Sequence, residues 1–270
     1  MSTLTVGLTD AELAIAGARA GAAVARARYG TPLTRIEKSA TDFATSADIE
    51  AERAVLDTLR AARPDDAVLG EEGGHTGSAD AARTWLVDPL CGTLNFAART
   101  QLVAVNVALR TTAGVTAAAA ADPFTDEVFW TDGAGAYVRR GDADEPLVPT
   151  AESRIVDVNL DPPFANAPAF RGVDLLADDR LVARFRPRVV STSLAVAWVA
   201  AGRRAAYVTD GPLIDTVHFA AGVALCRAAG AVVTGLLGQP PETGVGGLLV
   251  AADAEAHAEL LALVRDRFAG

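Results

Sequence analysis

Two hydrophobic periods alternate along the chain. Residues 9–29 place small apolar side chains at helical spacing, with Leu13, Ala16, Ala20 and Val24 on one face, and predict a packing helix. Residues 35–44 read as an extended or turn segment carrying Lys38 and Asp42. At Thr45-Ser-Ala-Asp48 a hydroxyl is followed three residues later by an acid, the capping-box pattern, and predicts a second helix. Ile49, Val55, Leu56 and Leu59 point inward in that reading, and Pro64 stops the helix. A short strand at 67–69 runs into Gly70-Glu71-Glu72-Gly73-Gly74, and a polar loop follows at 75–80. The apolar run 85–87, bounded by Pro89 and Gly92, predicts a buried strand that ends at Asp88, with Thr93 opening a further helix.

Beyond this point strands come in succession, at 102–110, 114–121, 128–131 and 136–138, with turn chemistry at Asp122-Pro123 and Asp132-Gly133. Residues 140–146 are the best boundary. After them strands at 155–160, 189–190, 205–209, 231–237 and 248–251 alternate with helices at 172–183, 194–202, 217–229 and 254–268, with a loop at 161–168. The pattern predicts an α/β protein with an α+β first half, divided into units 1–146 and 147–270.

Half of the residues are hydrophobic and 21% are charged, enough to bury a real core. A formal charge of -10 argues against nucleic acid or an anionic membrane as partner, though cations in a site can still draw phosphate to an acidic protein. No stretch is apolar for long enough to span a bilayer, and residues 1–10 lack the basic and apolar regions of a secretory leader, so a cytoplasmic location is expected. Cys91 and Cys226 are then expected as free thiols, Cys226 as a small core residue. Lys38 is the only lysine in a chain that otherwise uses arginine, which marks it out from a surface charge.

Four patches stand in order: Lys38 with Asp42-Phe-Ala-Thr45-Ser-Ala-Asp48; Gly70-Glu71-Glu72; Asp88-Pro-Leu-Cys91-Gly-Thr93; and Val217-His218-Phe-Ala-Ala-Gly222. They resemble the inositol monophosphatase-like family, whose members show Asp-(Leu/Met)-Val-Thr-x-x-Asp, Gly-Glu-Glu, Asp-Pro-(Ile/Leu)-Asp-Gly-Thr and Trp-Asp-x-Ala-Ala-Gly. The resemblance runs from Lys38 to the C-terminus and implies a layered αβαβα sandwich, a homodimer and metal-dependent hydrolysis of a small phosphorylated metabolite. It implies a first metal position at Glu71, Asp88 and the Leu90 carbonyl, whose oxygen donors suit Mg²⁺ or Mn²⁺. It also implies Thr93 and Asp48 as the pair that orients and deprotonates water, with Lys38 beside them. On the substrate side it points to Gly92, Thr93, Ser191 in Val190-Ser191-Thr-Ser193, and Asp210 in Thr209-Asp210-Gly211-Pro212.

The departures fall on one position. Cys91 and His218 stand where the family has its two other metal aspartates, and Asp215 is the alternative if the helix start is shifted. Exchanging carboxylates for a thiol and an imidazole disfavours Mg²⁺ and leaves a second position for Zn²⁺ or for no ion. Three readings stay open: a phosphomonoesterase with an altered second position, a phosphatase-like binding protein without turnover, and a Cys–His-dependent transferase or hydrolase. Blander readings stand beside them. Thr45 and Asp48 also make an ordinary helix cap, a Glu-Glu pair is commonly a solvated face, and His75 and His257 are expected to be exposed and idle.

Overall fold

The sequence runs Gly114-Val-Thr-Ala-Ala-Ala-Ala-Ala121 as one strand, and this alanine run sits at the heart of the architecture. The structure is a computed structural model that describes residues 7–39, 42–78, 80–211 and 216–269. Helix α1 (Asp10–Arg28) is followed by a small hairpin of β1 (Arg35–Glu37) and β2 (Phe43–Thr45), then helix α2 (Ser46–Ala62). The next strands are β3 (Ala67–Gly70), β4 (Gly74–Thr76), β5 (Arg83–Cys91), β6 (Ala104–Thr111), β7 (Gly114–Ala121), β8 (Glu127–Thr131), β9 (Ala136–Arg140) and β10 (Ala143–Pro146), with short helix α3 (Thr93–Ala97) after β5. They form an eight-stranded sheet in the order β10-β9-β8-β7-β6-β5-β3-β4, antiparallel except where β3 lies parallel to β5.

Strand alternation sends Ala117, Ala119 and Ala121 to one face, against α1 and α2, and Ala118 and Ala120 to the other. Methyl-sized side chains on both faces let helices approach the sheet closely from either side. The opposite face is covered by α6 (Leu194–Ala200) and α7 (Val217–Ala229), which also pack on a second sheet. That sheet contains β11 (Ile155–Asn159), β12 (Arg186–Val189), β13 (Ala206–Thr209), β14 (Val232–Thr234) and β15 (Leu248–Ala251), in the order β12-β11-β13-β15-β14. Helices α4 (Gly172–Leu176), α5 (Asp179–Arg184) and α8 (Ala254–Ala269) cover its far face, where Val156, Val158, Leu249 and Leu260 are buried together. The layers therefore run αβαβα, as the resemblance implied.

Several local expectations need correction. On α1, Leu13 is buried as expected, together with Ala11, Ala14, Ile15, Gly17, Ala18, Gly21, Ala22 and Ala25, while Ala16, Ala20 and Val24 are only half-buried. On α2, Val55 and Leu59 are buried and Leu56 half-buried, but Ile49 is exposed; Asp48 and Glu52 take the inward face instead. Residues 75–80 are not all loop, since His75 lies in the exposed edge strand β4. Residues 172–183 break into two helices at Asp178, whose side chain caps the second by accepting from the Arg180 N–H at 2.9 Å. His257 is buried rather than idle, with Nε2 2.8 Å from the Thr234 hydroxyl. Among the described residues no helix is long and apolar enough to cross a membrane.

Candidate active site

Strand β5 does not stop at Asp88 but continues to Cys91 through an irregularity. Asp88 faces Asn106 and Cys91 faces Ala104, so three steps on β5 oppose two on β6. Such a bulge bends the strand and re-aims side chains, and Pro89, lacking an N–H, sits within it without breaking a ladder bond. Gly92 follows at φ 104°, where a Cβ would lie 2.7 Å from the Leu102 carbonyl oxygen, so only glycine makes this turn into α3. Thr93 then donates its hydroxyl to Asp48 Oδ1 at 2.7 Å and lies 3.3 Å from the Leu90 carbonyl.

Asp48 serves two purposes at once. Its Oδ2 accepts from the Thr45 N–H at 2.9 Å and the Thr45 hydroxyl at 2.5 Å, closing the capping box of α2, while Oδ1 faces Thr93. The cap and the site are thus the same side chain, fully buried, with burial raising its carboxyl above the usual range.

The loop after β3 presents Glu71. Its N–H is tied to the Val87 carbonyl at 3.0 Å, and the next two N–H groups, of Glu72 and Gly73, donate to Glu52 at 2.8 and 2.7 Å. A Cβ at Gly70 or Gly73 would come within 2.6 or 2.7 Å of the Glu52 carboxyl, so the loop closes directly onto it. Lys38 spans Glu71 and Glu72 at 3.0 and 2.7 Å, and these two acids hold its ammonium above its usual value despite burial. Glu52 was missed in the sequence; an acid one turn beyond Asp48 on the same helix face was the available sign.

Helix α7 delivers His218. Thr216 caps it by accepting from the His218 N–H at 3.2 Å, and His218 Nδ1 lies 2.8 Å from Asp88 Oδ2 and 4.0 Å from Glu71 Oε2. The donor atoms of Asp88, Cys91 and His218 all lie within 4.8 Å of one another. The thiol and the imidazole therefore meet, and His218 faces the cluster; Asp215 lies outside the described residues. From the second half of the chain, Ser193 donates its N–H to Cys91 Sγ at 3.3 Å, and Asn106 holds the Ser193 hydroxyl at 2.8 Å. Ser191 offers its carbonyl to Asn95 at 2.5 Å and its hydroxyl to Asp161. Asp210 pairs with Asn166, while its Oδ2 is buried with no partner among the described residues. None of the described hydrogen bonds joins Asp210 to the cluster.

Charge in this cluster is tightly arranged. Burial and the neighbouring Asp88 push the Glu71 carboxyl up to about 8. Burial also works to raise Asp88, but the facing imidazolium holds it below the usual range, and in return Asp88 lifts His218 to about 12 against the effect of burial. Burial and the Asp88 charge push the Cys91 thiol up to about 11. An activated cysteine nucleophile needs the reverse, a thiol drawn down to thiolate by its histidine; here the histidine is engaged by Asp88.

Two overlapping sets of donors differ in chemistry. Glu71, Asp88 and the Leu90 carbonyl offer hard oxygens, which fit Mg²⁺ or Mn²⁺. Asp88, Cys91 and His218 offer oxygen, sulfur and nitrogen, which do not fit Mg²⁺.

Comparison with known proteins bears on the whole chain. Residues 8–268 match the model of the inositol monophosphatase family. An inositol-1-monophosphatase of Caulobacter vibrioides is 34% identical over 241 residues, covering 87% of this chain and 92% of its own length. The Nus factor SuhB of Escherichia coli is 32% identical over 235 residues, covering 84% and 85%. In structure, an extragenic suppressor protein suhB from Bartonella henselae superposes with a TM-score of 0.82 at 24% identity, over 94% of this chain and 97% of that one, a likeness of fold. The chain belongs to the inositol monophosphatase family, metal-dependent phosphoric monoester hydrolases acting on small phosphorylated substrates.

Proposed function

We propose that the protein hydrolyses the phosphate monoester of a small inositol-, sugar- or nucleotide-type metabolite, with Glu71, Asp88 and the Leu90 carbonyl holding one Mg²⁺ or Mn²⁺. The observation that carries this reading is the Thr93 hydroxyl, placed between Asp48 Oδ1 and the Leu90 carbonyl. A bound divalent cation supplies neutralisation of phosphoryl charge. Asp48 takes the proton of a water lodged against Thr93, through the Thr93 hydroxyl. Lys38 balances Glu71 and Glu72 and keeps both carboxyls at the loop. Gly92 and Thr93 bring their N–H groups to the phosphate. On the far side, Ser191 and Asp210 serve the hydroxyl groups of the alcohol. By its donors, the position formed by Asp88, Cys91 and His218 takes a softer ion than magnesium or none.

Phosphate release from a panel of inositol, sugar and nucleotide monophosphates, with Mg²⁺, Mn²⁺ and Zn²⁺ in turn, tests the proposal; silence with every metal would end it. One observation favours a binding role without turnover: His218 lies against Asp88 and so occupies part of the cation ground. In that case Cys91→Asp with His218→Asp creates phosphatase activity where the parent has none. By family resemblance the protein is a homodimer, which light scattering in solution checks.

A further inference from the structure

We infer that Asp88, Cys91 and His218 form a zinc site with three protein ligands and one open position. The inference deepens the phosphatase reading of the same site and rests on it for what the ion does, not for whether the ion binds. Three residue types that ligate zinc converge from β5 and the first turn of α7, with donor atoms within 4.8 Å of one another. Around a tetrahedral zinc the bond lengths are about 2.0–2.3 Å, which places neighbouring donors roughly 3.3–3.7 Å apart. Reaching that geometry takes an ångström or so of side-chain rotation: the widest pair closes, and the His218–Asp88 contact of 2.8 Å opens.

The surroundings are prepared as well. Ser193 aims its backbone N–H at Cys91 Sγ from 3.3 Å, and Asn106 holds Ser193 in turn, the kind of outer contact that supports a thiolate ligand. Thr216 fixes the turn that carries His218. Cys226 is fully buried and gives its S–H to the Val196 carbonyl, so Cys91 remains a free thiol available to a metal. Asp88 is fully buried and shared between both positions, so an ion here draws on the same carboxylate as its neighbour. Magnesium, by contrast, asks for six hard donors in near-ideal octahedral array. Binding displaces the thiol proton and the Nδ1 proton to solvent, with no change of oxidation state. Three protein ligands with a vacant fourth place is the arrangement of catalytic rather than structural zinc, and the vacant place suits a leaving oxygen of the substrate.

The test uses full-length protein freed of metal by chelator and reloaded with Zn²⁺ or with Co²⁺ as a visible substitute. The expected result is one tightly held Zn²⁺ and, with Co²⁺, a near-ultraviolet sulfur-to-metal charge-transfer band. In Cys91→Ser the band vanishes and Zn²⁺ affinity falls on the order of 100-fold or more, a direct ligand counting for at least as much as an outer contact. A wild-type cobalt spectrum without the band overturns the inference whether or not the variant folds, as does a band that persists in Cys91→Ser. Phosphate release with Mg²⁺ alongside a missing band sinks only the zinc site, whereas a clear band with no turnover under any metal sinks the phosphatase reading and leaves the site standing.

Discussion

Replacing Glu52 by glutamine removes one of the two acceptor oxygens that hold the loop presenting Glu71. In the native protein Oε2 takes the Glu72 N–H at 2.8 Å and Oε1 takes the Gly73 N–H at 2.7 Å, with Glu52 only 5% exposed. A glutamine keeps one acceptor and turns an NH₂ donor toward the other N–H, so one backbone donor is stranded. An unpaired buried donor costs about 1–3 kcal/mol. Water is poorly placed to relieve it, because there is too little room beside this carboxyl even for a Cβ at Gly70 or Gly73, which would lie 2.6 or 2.7 Å from it. At a few degrees per kcal/mol for a chain of this size, thermal unfolding should come about 3–10 °C earlier. The strain falls on the residues flanking Glu71, so Mg²⁺ affinity should drop by on the order of tenfold, the equivalent of ~1.4 kcal/mol. Scanning fluorimetry and calorimetric Mg²⁺ titration measure the two effects separately. Unchanged Mg²⁺ affinity with lowered stability would reduce Glu52 to a packing role, and no change in either would refute the reasoning.

Asp48→Asn should lower kcat by about 10²–10⁴ with a much smaller change in KM, since the amide can still complete part of the helix cap but takes no proton; initial rates within threefold of the parent would contradict this. Mg²⁺ affinity should climb as pH rises from about 6 toward 8 and level off above, because Glu71 must lose the proton that its raised value, about 8, retains. The same shift has the opposite sign for the metal-free fold: the folded state holds a proton that the unfolded chain releases near 4.5, so this contribution to stability is lost as pH rises through that window. Titrations at stepped pH check the first statement and urea midpoints with chelator the second, a flat profile counting against each. Arg204→Ala should cost about 3–5 kcal/mol in urea unfolding, because it strands the fully buried Asp157, whose only described hydrogen-bond partner is Arg204 Nε at 2.7 Å; a loss under 1 kcal/mol would show that the pair is not what holds this strand.

Local chemistry was legible in the chain itself. The capping box of α2, the strand entering Asp88, the turn at Gly92 and the alternation of strands and helices after residue 155 all follow from interactions between near neighbours, which spacing records directly. Where hydrophobic contrast was weak, spacing misled: α1 is so rich in alanine that its face could not be fixed, and Ile49 points outward while Glu52 points in. The order of motifs, by likeness to a family, named Cys91 and His218 as partners across more than a hundred residues. Only the folded chain decided that they meet over Asp88, that Asp48 caps a helix and faces Thr93 with one carboxyl, and that Ser193 reaches Cys91 from the other half. The reason is that periodicity encodes which face of an element is apolar, while the approach of a polar side chain to a distant partner depends on how the layers stack, and the stacking is set by the summed packing of alanine-lined sheet and helices rather than by any one segment.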